Sequence, residues 1–185
     1  MPNWCTNDLL IEGPNEDIER FIEAARGQSA KYDTSGVSEE LTAALGGVAV
    51  PIEPLCFNAL FPVPSYILAQ GYNKAGYDWQ HSNWGTKWDM DGSTDIYVED
   101  GFVRYFFDTA NTPPIALISH VAFDWPTLTF ELRYVEPGNN FGGIFTASAD
   151  GQNDECFGLQ EGYENDTLPD WVYDLAPYLE ESYED

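Results

Sequence analysis

The chain has 185 residues and a mass of 20.7 kDa, enough for one domain that buries roughly 70% of its unfolded surface. Its 32 Asp and Glu against 7 Lys and Arg leave a formal charge of −25 and a pI near 4.1. That balance excludes unaided binding to nucleic acid or to an anionic membrane, because Lys and Arg are what hold phosphate-rich partners. Disorder is excluded as well: 6 Trp, 11 Tyr and 11 Phe supply apolar surface that disordered acidic chains lack.

Cys5, Asn7, Leu9 and Ile11 alternate with Thr6, Asp8, Leu10 and Glu12, which predicts a first strand. Gly13-Pro14 ends it. Pro14 at a first helical position, with Glu16 and Asp17 in the positive first turn, opens an amphipathic helix carrying Ile18, Phe21, Ile22 and Ala25 on one face and ending near Arg26-Gly27. Residues 28 to about 50 read as a loop or insertion with at most a short helix near 38–45. Leu55 to Val63 is apolar, but Pro62 and Pro64 restrict it to an edge strand or a tethered segment. Asp95 to Phe107 alternates around Asp100-Gly101, which predicts a hairpin with a type I′ turn. Asn111-Thr112-Pro113-Pro114 then caps a helix bearing Ile115, Ile118, Val121 and Ala122, stopped by Pro126, and Thr127 to Tyr134 alternates as a strand. Phe141 to Ala149 adds a strand, with Asp150-Gly151 as the turn into residues 152–158. From Thr167 onward, Trp171, Val172, Leu175, Tyr178 and Leu179 fall at helical spacing, interrupted by Pro177, and form a stripe for docking.

The order strand, helix, insertion, strand, strand, helix, strand predicts an α+β chain of the ferredoxin-like, split βαβ type: an antiparallel sheet with two helices on one face. Residues 1–149 form that domain, with the insertion at about 28–94, and residues 150–185 form an acidic C-terminal extension docked against it. Cysteines at 5, 56 and 156 make no metal-ligand spacing and no even disulfide set, so a reducing cytoplasm is the expected compartment. The opening Met1-Pro2-Asn3-Trp4-Cys5 lacks the regions of a signal peptide, and no apolar run approaches the roughly 20 residues of a membrane span.

Met1-Pro2-Asn3-Trp4-Cys5, the Phe57 to Pro64 segment and Asn83-Trp84-Gly85-Thr86-Lys87-Trp88-Asp89 together resemble a phage- and plasmid-borne family with the YubB-type ferredoxin-like domain. Phe107 to Pro114, Phe130-Glu131-Leu132-Arg133-Tyr134 and Gly142-Gly143 extend the similarity over roughly residues 1–145. The resemblance implies a ferredoxin-like fold and a home on mobile elements. It brings no activity and no catalytic residue, and the acidic stretch after about residue 150 lies outside the family pattern.

Acids outnumber bases by 9 to 3 in residues 1–50, 7 to 2 in 51–100, 5 to 2 in 101–150 and 11 to 0 in 151–185. A field of that sign attracts basic surfaces, and carboxylates on a rigid surface stand in for phosphates. The partner-binding candidates are Asp150, Asp154, Glu155, Glu161, Glu164, Asp166, Asp170, Asp174, Glu180 and Glu181. The bland alternative is a solvated face kept for solubility or salt adaptation, as in a structural or assembly protein. Tyr77, Trp79, Trp84 and Trp88 form an aromatic cluster that reads as core or as an interface. Asp89 to Asp95 looks like a calcium loop but lacks the glycine at position six and the closing glutamate, so a turn is the better reading, with a small-ligand or calcium module at 77–95 as the alternative. His120 reads as a capping or packing residue.

No nucleophile with its base, phosphate loop or metal cluster is present in the sequence, so no enzyme and no cofactor is expected. The functional expectation is a viral or plasmid accessory protein: a DNA-mimic-like inhibitor that binds a basic, nucleic-acid-handling host defence protein, a CRISPR effector or restriction system, and blocks its nucleic-acid channel. Neither direct nucleic-acid nor membrane contact is expected, and the oligomeric state is not specified.

Overall fold

The computed structural model describes residues 2–33, 51–90, 94–177 and 179. Six antiparallel strands make one open sheet in the order β2-β3-β1-β4-β5-β6. They are β1 (Trp4–Glu12), β2 (Asp95–Glu99), β3 (Phe102–Ala110), β4 (Thr129–Glu136), β5 (Phe141–Ser148) and β6 (Gly151–Gly158). β1 pairs with β3 from Trp4 opposite Ala110 to Glu12 opposite Phe102, and with β4 from Thr6 opposite Val135 to Glu12 opposite Thr129.

Because side chains alternate across a strand, that register gives the sheet two unlike faces. Leu9, Ile11, Val103, Tyr105, Phe107, Phe130, Leu132 and Phe145 share one face and are at most 3% exposed. Against it pack α1 (Asn15–Ala25), through Ile18, Phe21 and Ala25, and α5 (Ile115–Asp124), through Leu117, Ile118, Val121 and Ala122. Among the described residues, three shorter ones lie between these helices in sequence, α2 (Phe57–Leu60), α3 (Ser65–Leu68) and α4 (Tyr77–Trp84), the last entered through a π turn at Tyr72–Gly76.

Residues 51–90, expected as insertion, contribute to the main core. Leu55, Cys56, Phe57 and Trp84 are fully buried, and Phe57 meets Trp84 and Phe107 edge-on at 5.9 and 6.1 Å. Within the apolar stretch from Leu55 to Val63, Phe57–Leu60 forms a single helical turn where an edge strand or a tethered segment was expected. Asp89 explains the difference: its carboxylate accepts the N–H groups of Phe57 and Asn58 at 2.7 and 3.0 Å, satisfying orphan donors at the start of α2. The short helix expected near 38–45 lies outside the described residues.

Three local expectations are corrected. In the β2–β3 turn only Gly101 takes the left-handed region, at φ 86°, so the Asp100-Gly101 turn is not type I′, which needs both residues there. The β5–β6 loop is Ala149-Asp150, one residue earlier than expected, since Ser148 pairs with Gly151. Pro114 is the N-cap of α5 and no side chain caps it; Thr112 instead donates to the Gly85 carbonyl at 2.6 Å.

The opposite sheet face carries a second, smaller cluster. Val135, Leu159, Val172, Ala176 and Leu179 are at most 2% exposed and hold α6 (Leu159–Glu164) and α7 (Asp170–Leu175) there. Pro177 follows the end of α7, as its missing N–H requires. Among the described residues no helix is long and apolar enough to cross a membrane.

Candidate functional site

The acidic candidates fall on two structures. Asp150, Asp154 and Glu155 lie on the β5–β6 hairpin, whose outer strand is the free edge of the sheet. Glu161, Glu164, Asp166, Asp170 and Asp174 lie on α6, α7 and the turn between them. All eight are exposed, while Glu180 and Glu181 lie outside the described residues.

Strand alternation divides the hairpin set. Asp154 stands opposite Phe145, on the face covered by α1 and α5, whereas Glu155 stands opposite Ile144 on the face covered by α6 and α7. Asp154 has a fixed position: the Tyr134 hydroxyl donates to its Oδ1 at 2.8 Å. Gly143 permits that reach from β4 to β6, because a Cβ there would collide with the Tyr134 hydroxyl and the Glu155 carbonyl. Burial and the Asp154 carboxylate together hold the Tyr134 hydroxyl far above its ordinary pKa, so it stays a donor. Glu161 and Asp170 sit in the first turns of α6 and α7, where carboxylates meet the positive ends of the helix dipoles.

Asp174 has a different environment. With Thr6, Asp8, Arg104, Phe106, Arg133, Trp171 and Leu175 it lines a cavity of about 370 Å³ between α7 and the sheet. Arg104 donates its Nε to Asp8 Oδ1 at 2.6 Å and its Nη2 to Oδ2, and Asp8 raises the arginine pKa, with smaller contributions from Glu131 and Asp174. Arg133 pairs with Glu131 at 2.7 Å and lies 5.9 Å from the Trp171 ring centre. Asp174 therefore faces two bases of its own chain. Neither arginine is among the candidates that the sequence suggests, although strand alternation places Asp8, Arg104 and Arg133 on one face.

The aromatic cluster divides between core and surface. Trp84 is fully buried and donates its indole N–H to the Phe61 carbonyl at 3.0 Å, and Trp79 packs edge-on against it at 5.7 Å. Tyr77 and Trp88 are 44% and 41% exposed. Trp88 meets Trp4, so the opening motif and the motif around Trp84 to Asp89 converge at one end of the sheet. His120 stacks on Phe61 with ring centroids 3.8 Å apart and lies 3.5 Å from Asp124.

Among the described residues no group of three or more His, Cys, Asp and Glu side chains could hold a metal ion. The buried thiols are the wrong kind of nucleophile: burial pushes Cys56 up to about 12 with Asp89 adding to the rise, and burial raises Cys5 further. Burial also raises the Asp89 carboxyl, against the three backbone N–H groups that favour its charged form. What residues 151–177 offer is a set of exposed carboxylates with no base in the same stretch of chain.

No protein-family model and no curated protein matches the chain. Among solved structures it is similar to the crystal structure of a protein api92 from Yersinia pseudotuberculosis, described with the family-model DUF1281. The TM-score is 0.63 at 12% identity, with 85% of this chain and 99% of that one covered. At that identity the likeness shows the fold alone.

Proposed function

We propose that this protein is a phage- or plasmid-encoded accessory protein that binds a basic, nucleic-acid-handling host protein and occupies its nucleic-acid channel. A restriction enzyme or CRISPR effector is the class of target. The reading is carried by one observation: residues 151–185 contain 11 acids and no base, and their described carboxylates are exposed on elements anchored to the sheet. Anchored carboxylates keep a spacing, which a phosphate-like decoy needs and a mere solubility tail does not. The strand order β2-β3-β1-β4 with α1 and α5 on one face supports assigning the ferredoxin-like, YubB-type family, with β5, β6 and the C-terminal helices as additions.

The test is competition. A tagged chain is used to capture protein from nuclease-treated host lysate at about 0.1 M salt, with elution at about 0.5 M, where screening shortens from roughly 10 Å to near 4 Å. The captured protein is then mixed with a labelled duplex and followed by anisotropy. Displacement of the duplex by the wild type, lost when Glu161, Glu164, Asp166 and Asp170 are all changed to Lys, is the expected result. A slower on-rate should account for most of the loss. Equal displacement by the charge-reversed chain would refute the reading.

A further inference from the structure

Trp4 and Trp88 remain 45% and 41% exposed although they lie against each other, with ring centroids 6.3 Å apart and planes at 52°. A tryptophan pair left at the surface forgoes burial of the largest apolar side chains available, so what lies beside it carries information. A cleft of about 90 Å³ opens there, lined by both rings, Asp89, Asp108, Thr109 and Ala110. Asp89 cannot swing away, since the Phe57, Asn58 and Met90 N–H groups hold it at 2.7, 3.0 and 2.8 Å. Asp108 projects from β3 directly opposite Thr6 and is exposed.

Two π faces and two carboxylates around a small opening make a receptor for positive charge on a carbon framework. We propose that this cleft binds an organic cation: the ammonium, guanidinium or quaternary ammonium head of a ligand or of a partner's side chain. The volume equals that of about three waters, which admits such a head and excludes a nucleotide. Lys87 supplies an internal precedent, because its Nζ lies 4.8 Å from the Trp88 ring centre. That resident ammonium repels an incoming cation, so its removal strengthens binding. The site does not rest on the decoy reading, because free small cations test it without any host protein.

The experiment follows the Trp4 and Trp88 indole N–H resonances of the intact protein during titration at constant ionic strength near 0.15 M. Choline, N-acetyl-arginine amide and 3,3-dimethylbutanol, the neutral isostere of choline, are the probes. Saturable shifts of both indoles are expected, with a cation bound about tenfold more tightly than the neutral isostere. Tighter binding of the arginine derivative assigns the cleft to a partner's side chain, and tighter binding of choline assigns it to a free quaternary ammonium. Asp108→Asn should weaken the cation severalfold and Lys87→Met should tighten it, while both leave the isostere unchanged. Equal binding of choline and the isostere, shifts spread over the whole surface without saturation, or an unchanged cation affinity in Asp108→Asn would each overturn the proposal. Asp108 and Lys87 are used because neither is a core residue.

Discussion

Changing Val172 to Asp should detach the two C-terminal helices and leave the sheet standing. Val172 is fully buried in a cluster of five side chains on the sheet face opposite α1 and α5. Burial of a valine contributes about 1.5–3 kcal/mol, and an unpaired carboxylate placed in that pocket costs several kcal/mol more. The cluster is small, and helices of six residues, such as α6 and α7, have no stability of their own. The loss thus matches or exceeds the free energy of docking, and the region opens as a unit while the main core is untouched. Hydrogen exchange read by residue is the assay: amides of 159–177 lose their protection, and those of β1, β3 and β4 keep it. Loss of protection in β1 and β4 in parallel would show one cooperative unit and refute the reasoning. The same variant bears on function, since Glu161, Glu164, Asp166 and Asp170 keep their charges but lose their spacing. Displacement of a duplex from the captured target should weaken if geometry matters, and unchanged displacement would reduce the region to bulk charge.

Arg104→Met leaves the Asp8 carboxylate, whose side chain is 4% exposed, without its bidentate partner. About 3 kcal/mol of stability should be lost in urea unfolding, more than half of it recovered by adding Asp8→Asn; a loss under about 1 kcal/mol would make the pair an ordinary surface bridge. Of the three cysteines, Cys156 is exposed and Cys5 and Cys56 are buried. A thiol-reactive disulfide reagent should therefore modify one thiol rapidly in the native protein and all three in denaturant, and rapid native labelling of two would contradict the packing. Asp89 binds its proton more tightly when folded than when unfolded, because burial raises its pKa. Its contribution is then full below about 3.9 and is lost as the pH rises through the raised value. The stability difference between wild type and Asp89→Asn should fall across that window, and a difference that grows with pH would refute the assignment.

The strands were legible because a half-buried antiparallel strand writes its period of two into the chain: Leu9 and Ile11 against Asp8 and Leu10, or Leu132 and Tyr134 against Glu131 and Arg133. The segment 55–84 was not legible for the opposite reason. α2 and α3 are single turns, and one of them is held by a carboxylate 32 residues further along. Local pattern carries no trace of such a partner. α6 escaped notice with Gly162 in its middle and only Leu159 as a large buried residue. Exposure of the acidic candidates followed from composition, but their division between two faces needed the β5–β6 register, and the turn toward Arg104 at Asp174 needed the tertiary fold. The aromatic cluster shows the same limit: spacing groups Tyr77, Trp79, Trp84 and Trp88, whereas only the fold separates buried Trp84 from exposed Trp88 and brings Trp4 to the latter.

The distribution of the seven bases sharpens the meaning of the charge. Arg133 is the last of them, and the 52 residues that follow hold 13 acids. When α7 docks, it lies over the final two bases, with Trp171 beside the Arg133 guanidinium and Asp174 in the same cavity as Arg104. Lys87 and Arg20 are likewise committed to the rings of Trp88 and Trp125. The C-terminal region thus acts twice on the field: it adds nine acids from Glu161 onward, and it partly covers Arg104 and Arg133, whose side chains stay 36% and 31% exposed. Simple solubility requires only net charge, which surface arginines among the acids would not spoil. The exposed bases Arg20, Arg26, Lys31 and Lys74 all precede residue 75, so the surface formed by the later part of the chain is dominated by acids. A basic channel can recognise such a surface, and the cost is self-repulsion that the sheet's main core must hold against.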